Sequence, residues 1–387
     1  MDDYRRKIYE RILPFKELSV VGIANLVGNA ISSIFWLILA SLMEAEQYGE
    51  VNYFIAIASV AGAISFLGAG NVLTVLSAKE TKVQSPILIV TTIASTIVAL
   101  VLFAMFSNIS ISLYVIGYVI FNHLLYETLG RKIYPEYAKI YIIQRVLLIG
   151  FALGFYFLIG PTGVILGYAI SFFPFLIKTY KKFRISKFEF SKLREKISFM
   201  RDNFGHSLLS VLSTYTDKLI IGPVFGFAFL GNYQLAFQIL MILTMIPGIV
   251  YSYLLPQEAS GKPHKKLWLI TILIVLAISV LIILVAPSVL PILMPKYGPA
   301  IDLIQIMSIT AVPMTVSLRF TSKFLGSENG KVVMIGKAIF LGSHITGIFS
   351  IGGILEIQGV AISLVIASSI EASYYLIINR VLNKNTV

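Results

Sequence analysis

The 387-residue chain has no cysteine, two tryptophans, four histidines and only 13% Asp, Glu, Lys and Arg. Without cysteine there is no disulfide framework, thiolate metal site or cysteine nucleophile, and the redox compartment is not encoded. The scarcity of charge excludes more. Soluble chains carry about 25% charged and about 45–50% apolar residues; here the apolar fraction is 57% and mean hydropathy is +0.86. A soluble chain of this length needs far more polar surface to cover its core. Ordinary soluble enzymes and nucleic-acid-binding proteins are therefore excluded, and an integral membrane protein remains. His123, His206, His264 and His344 have no metal-ligand spacing. The stretch Gly326–Val332 has one residue too few between its glycines for a P-loop and lacks the Ser/Thr. No Gly-x-Ser-x-Gly elbow occurs. With no catalytic machinery, cofactor or metal site legible, the chain reads as a non-enzyme.

What is present is a series of long apolar runs. About 20 apolar residues cross the hydrocarbon core of a bilayer as a helix. Twelve such runs are expected, near 19–41, 50–78, 86–106, 111–128, 139–159, 162–178, 204–223, 231–256, 267–288, 299–322, 332–352 and 357–379. The breaks are expected at Tyr48-Gly49, Gly160-Pro161, Gly222-Pro223, Gly261-Lys262-Pro263 and Gly298-Pro299, which carry turn residues. Residues 19–41 run too long for a signal-peptide core and lack a small-residue cleavage site, so this segment reads as a retained first span.

The basic residues test the count. With a cytoplasmic N-terminus, nearly all of the 31 Lys and Arg fall in inside loops, among them Arg5, Arg6, Lys7, Lys79, Lys82, Arg131, Lys132, Lys181, Lys182, Arg184, Lys187, Lys192, Lys262, Lys331 and Arg380. Lys296 alone falls in an outside loop, while Arg145, Lys218, Arg319 and Lys337 lie within spans. One missed helix would scramble this pattern downstream, so the asymmetry supports twelve spans with both termini cytoplasmic. The +12 net charge is a topology signal and an attraction to anionic lipid.

The basic segment 181–203 divides the chain into an N-terminal lobe, 1–180, and a C-terminal lobe, 204–387, with six spans each. An even number gives both halves the same orientation, as parallel repeats have. A weak internal echo agrees: Tyr48-Gly49 in Tyr48-Gly49-Glu50-Val51-Asn52-Tyr53 and Leu230-Gly231 in Leu230-Gly231-Asn232-Tyr233 stand at an offset of 182. Gly150-x-x-x-Gly154 and Gly163-x-x-x-Gly167 read as close helix packing.

Three stretches carry a family resemblance: IFWLILASLMEAEQYGEVNYFIAIASVAGAISFLGAGN within 33–80, STYTDKLIIGPVFGFAFLGNYQLAFQIL at 213–240 and LPILMPKYGPAIDLIQIMSI at 290–309. They resemble membrane proteins of polysaccharide biosynthesis, the lipid-linked oligosaccharide flippase branch of the multidrug/oligosaccharidyl-lipid/polysaccharide superfamily. The resemblance implies an all-α polytopic fold of about twelve helices in two lobes. It also implies translocation of a polyprenyl-(pyro)phosphate-linked oligosaccharide to the outer leaflet by alternating access, in the plasma (inner) membrane. Membrane lipids and glycan-assembly enzymes are the implied partners, and a monomer suffices. A sodium- or proton-coupled multidrug exporter of the same superfamily and a membrane glycosyltransferase or polymerase stay as alternatives. Coupling to a proton gradient, a sodium gradient or the membrane potential is open.

Polar residues inside spans are costly and mark candidate sites. His206, Ser210, Ser213 and Asp217 step by four, three and four along the seventh span, with Lys218 beside them. Asn25 and Asn29 repeat the rhythm in the first span. Gln144-Arg145, the pair Gln234 and Gln238, and Gln305 with Ser308, Thr315 and Arg319 add further polar faces. The Ser and Thr residues read more readily as glue between helices than as cavity lining. Asp217 needs a cation or water at depth. Arg145 and Arg319 either snorkel to headgroups or face an inter-lobe cavity, where a planar, always-charged guanidinium suits phosphate. Glu371 in the last span is left without a role, a second-lobe ion site being one option.

Overall fold

Inside hydrocarbon every backbone N–H and C=O must be satisfied within its own segment, so apolar runs of this length become helices. The computed structural model describes the backbone of residues 2–81, 83–185, 193–194, 196–259 and 264–384, and it is helical almost throughout. The helices are α1 (Asp2–Leu42), α2 (Ala45–Ser65), α3 (Ala69–Ala78), α4 (Gln84–Phe106), α5 (Ile109–Gly130), α6 (Tyr134–Ile159), α7 (Pro161–Ile170), α8 (Leu176–Ile185), α9 (Ile197–Phe225), α10 (Phe227–Ala259), α11 (Lys265–Leu293), α12 (Ala300–Gly326), α13 (Gly330–Ser350) and α14 (Gly352–Lys384), the last kinked at Glu356. Among the described residues, eleven helical segments are long and apolar enough to cross a membrane, and α2 with α3, bent by 47°, makes a twelfth. The twelve expected runs correspond to these one by one. Lys187, Lys192 and the Gly261-Lys262-Pro263 break lie outside the described residues.

Two expected breaks are misplaced. Tyr48-Gly49 lies inside α2, which begins at Ala45, and Pro223 lies inside α9, which ends at Phe225. Proline near a helix end removes one hydrogen bond without ending a membrane helix, whose neighbours re-satisfy the freed carbonyl. The turn instead falls at Gly226, with φ +100°. The α2–α3 bend, unforeseen in the sequence, sits at Gly68. Its φ is +70°, and a Cβ there would meet Phe204 N at 2.4 Å, so glycine is needed both for conformation and for space.

The chain forms two compact units, Met1–Ser32 with Ile57–Leu208 and Ser33–Ala56 with Leu209–Val387. In the first, α5 is central and packs on α3, α4, α6, α7 and α8. In the second, α12 is central and packs on α10, α11, α13 and α14. Each is the fourth span of its half, so the same position is buried in both. Of the expected glycine seams, Gly163 and Gly167 do lie against α6 backbone, with a Cβ reaching Phe155 O at 2.2 Å and Ala152 N at 2.5 Å. Gly150 and Gly154 face open space instead.

The offset of 182 has a physical counterpart within the second unit. A Cβ on Gly49 would meet Phe227 O at 1.9 Å, and a Cβ on Gly231 would meet Ala45 O at 1.8 Å. Gly49 and Gly231 are offset by 182, and so are Ala45 and Phe227. The contact is therefore reciprocal, as across a two-fold axis. Around it Lys296 pairs with Glu44 at 2.8 Å and the Tyr297 hydroxyl donates to Met43 O at 3.4 Å.

Candidate functional site

In the first unit the polar residues of α1 and α6 meet rung by rung. The Tyr137 hydroxyl donates to Asn25 Oδ1 and the Tyr141 hydroxyl to Asn29 Oδ1, both at 3.0 Å. Both rungs advance in the same direction, so α1 and α6 run parallel. That is the parity of a first and a fifth span, and it requires bent α2–α3 to count as one crossing. Arg145 continues the ladder one turn further. Its Nη2 donates to the Tyr141 hydroxyl at 3.1 Å, its Nη1 to the Tyr168 hydroxyl at 3.4 Å, and its guanidinium lies 4.9 Å from the Tyr141 ring centre. Gly28 makes the room, since a Cβ there would meet Tyr141 Cε1 at 2.4 Å. Arg145 Nε is buried without a partner. Its neighbour Gln144 is buried and donates to Ser171 Oγ at 3.0 Å.

In the second unit Asp217 and Lys218 are each 4% exposed and pair with one another. Lys218 Nζ stands 3.2 Å from Asp217 Oδ1 and 3.3 Å from Oδ2. The Tyr233 hydroxyl of α10 donates to Asp217 Oδ2 at 2.8 Å. The second buried acid, Glu371 of α14, pairs with Lys337 of α13 at 2.9 Å. These contacts separate the four cations within spans. Lys218 and Lys337 are neutralised inside the protein, whereas Arg145 and Arg319 form no ion pair among the described residues. Arg319 lies 5.3 Å from the Phe320 ring and within electrostatic reach of Lys323.

The remaining sequence candidates divide. Gln305 donates to Ile283 O of α11 at 2.8 Å and so ties two helices, whereas Ser308 and Thr315 bond back to their own helix. Gln234 and Gln238 are buried in α10, the former with Oε1 unpartnered. Ser213 donates to Leu209 O at 2.8 Å, and Ser210 is exposed. His206 is exposed on the part of α9 that belongs to the first unit, so the polar stripe of the seventh span is shared between two units. Sequence reasoning missed Tyr137, Tyr141 and Tyr168. The first two stand four apart and four before Arg145, a stripe readable at helical spacing. The Lys337–Glu371 pair, 34 residues apart, had no such signal.

The Lys337–Glu371 pair gives a direct stability prediction. Lys337→Met strands a carboxylate that is 3% exposed, at a cost on the order of 3 kcal/mol. Thermal unfolding in detergent is expected to fall by several degrees, and Lys337→Met/Glu371→Met to restore most of the loss. A double variant as unstable as the single one would show that the pair is not the unit of stability.

Comparison with known proteins agrees with this architecture. The sequence profile of a family described as polysaccharide biosynthesis protein matches residues 138–266. Among solved structures, the lipid II flippase MurJ in an inward closed conformation superposes with a TM-score of 0.77 at 12% identity, covering 93% of this chain and 87% of that one. A multidrug resistance MATE family transporter of the MOP superfamily matches in its outward-facing conformation with a TM-score of 0.65, 15% identity and 95% of each chain. An inward-facing one matches at 0.64, with 16% identity and 92% and 94% coverage. No curated protein matches in sequence. The chain thus shares the fold of these transporters, and its many long apolar helices make it a multi-pass membrane protein. The segment matched by the polysaccharide-biosynthesis family includes Arg145, Asp217 and Lys218 and covers about a third of the chain.

Proposed function

We propose that the protein is a flippase that moves a polyprenyl-(pyro)phosphate-linked oligosaccharide from the cytoplasmic to the outer leaflet by alternating access. The observation that carries this reading is the guanidinium of Arg145. It is held by tyrosine hydroxyls on a membrane-spanning helix, has one nitrogen unpartnered and has no carboxylate paired to it among the described residues. An uncompensated cation in a span is expensive and points to an anionic ligand, and a guanidinium matches phosphate oxygens in pairs. Arg319 supplies a second such charge in the other unit. Asn25, Asn29 and the tyrosine hydroxyls offer donors and acceptors for sugar hydroxyls, and the lipid tail stays in the bilayer. The chemistry is transfer between leaflets with no bond made or broken. The distribution of lysine and arginine favours cytoplasmic termini, the resemblance to polysaccharide-biosynthesis proteins implies the plasma (inner) membrane, and one chain suffices.

The test uses purified protein in liposomes containing a fluorescent polyprenyl-pyrophosphate oligosaccharide, with outer-leaflet sugar counted by a membrane-impermeant reagent. Protein-dependent exchange between leaflets is expected. Absence of exchange together with sodium- or proton-driven efflux of cationic dyes would assign the chain to drug export.

A further inference from the structure

Adjacent residues on a helix do not face each other, yet Lys218 folds back over Asp217. Its surroundings explain the pose. The ammonium meets both carboxylate oxygens of Asp217 at 3.2 and 3.3 Å, donates to Thr214 O at 3.0 Å and lies 3.9 Å from the Phe237 ring centre. Three oxygens and an aromatic face thus surround one positive charge, with Tyr233 holding the second carboxylate oxygen from α10. Carboxylate and backbone carbonyl oxygens are the donors that replace the hydration shell of a bare monovalent cation, and an ammonium resembles a potassium ion in charge and size. A second group bears on the spot. His344 of α13 is buried within electrostatic reach of Asp217 and Lys218. Its Nδ1 lies 3.1 Å from Ser363 Oγ of α14, while its Nε2 has no partner.

We infer that Lys218 is a built-in monovalent cation, filling the place at Asp217 that a sodium or potassium ion would otherwise take. The intact protein binds no alkali cation there, because the ammonium is attached to the same helix and cannot be diluted away. Removing the ammonium uncovers a cation site made of the Asp217 carboxylate, the Thr214 carbonyl and the oxygens that water brings to the vacated volume. For the transport cycle, a consequence that rests on the proposed function, substrate movement draws nothing from a sodium gradient at Asp217. The binding test below needs no transport, so it fails or succeeds independently of the flippase reading.

The full-length protein is purified in detergent, and its unfolding temperature is followed while choline chloride is exchanged for sodium or potassium chloride at constant ionic strength. The wild-type midpoint is expected to be indifferent to the exchange. Lys218→Ala and Lys218→Gln are expected to be less stable in choline and to gain a saturable rise of about 5 °C with one of the alkali ions. Asp217→Asn/Lys218→Met, with neither charge, is expected to show no alkali response. If the single variants survive purification only in sodium or potassium, that is the same result read as yield. Single variants that are folded but indifferent to alkali ions, or that are lost in every salt, would overturn the assignment. So would a wild-type response that Asp217→Asn removes.

Discussion

Arg145→Ala is expected to slow leaflet exchange about 100-fold or more while leaving the folded protein as stable as the parent, or more so. The two halves of this expectation come from the same geometry. A bidentate, charge-assisted contact to phosphate in a water-poor site is worth about 3 kcal/mol, and each 1.4 kcal/mol is about a factor of ten. No carboxylate is paired to Arg145 among the described residues, so its removal strands no opposite charge. The Tyr141 hydroxyl keeps its bond to Asn29. A residue kept against stability is the mark of a functional position. Arg145→Lys keeps the charge but loses the planar pair of donors, and only partial recovery is expected. Initial exchange rates in liposomes and unfolding temperatures in detergent test both halves. Exchange that persists per folded molecule, with a lowered unfolding temperature, would make Arg145 a packing residue and remove the basis of the anion site.

The parts of this molecule that the sequence exposed are those written in one dimension. Length and hydropathy mark the spans, and the lysine and arginine pattern marks their number. The step Asn25–Asn29 marks a polar face because a helix repeats it locally. Long-range pairing was hidden. Glu371 had no legible role because its cation, Lys337, sits on the neighbouring helix. Asp217 invited a mobile ion because nothing in the sequence tells that Lys218 turns back upon it. Glycine was ambiguous for a related reason. Tyr48-Gly49 has the composition of a turn, but Gly49 is there for close approach. At Gly68 both needs meet, and an apolar run that reads as one straight span is bent. Gly150-x-x-x-Gly154 carries the spacing of a packed seam and faces open space, since spacing fixes a face of a helix without fixing its neighbour.

Gly49→Ala and Gly231→Ala are each expected to force apart the crossing of α2 and α10. The atoms a new Cβ would meet, at 1.9 and 1.8 Å, are backbone carbonyl oxygens, which cannot rotate away as a flexible side chain would. Relief requires a shift of one helix against the other. Overpacking of this kind costs about 1–3 kcal/mol, and the shift must also disturb the Glu44–Lys296 pair and the Tyr297–Met43 bond nearby. The absence of cysteine makes the measurement clean, because Glu44→Cys/Lys296→Cys introduces the only two thiols. A short bis-maleimide is expected to link them readily in the parent background and several-fold more slowly in either alanine variant. The two substitutions act on one reciprocal contact, so they should be strongly non-additive. Once the first has separated the helices, the second finds the space already open. Full additivity, in linking rate and in unfolding temperature, would mean that Gly49 and Gly231 belong to separate contacts and that the 182-residue echo has no axis running through this crossing. A single substitution that leaves linking unchanged would show that the added Cβ does not move the start of α2 away from residue 296.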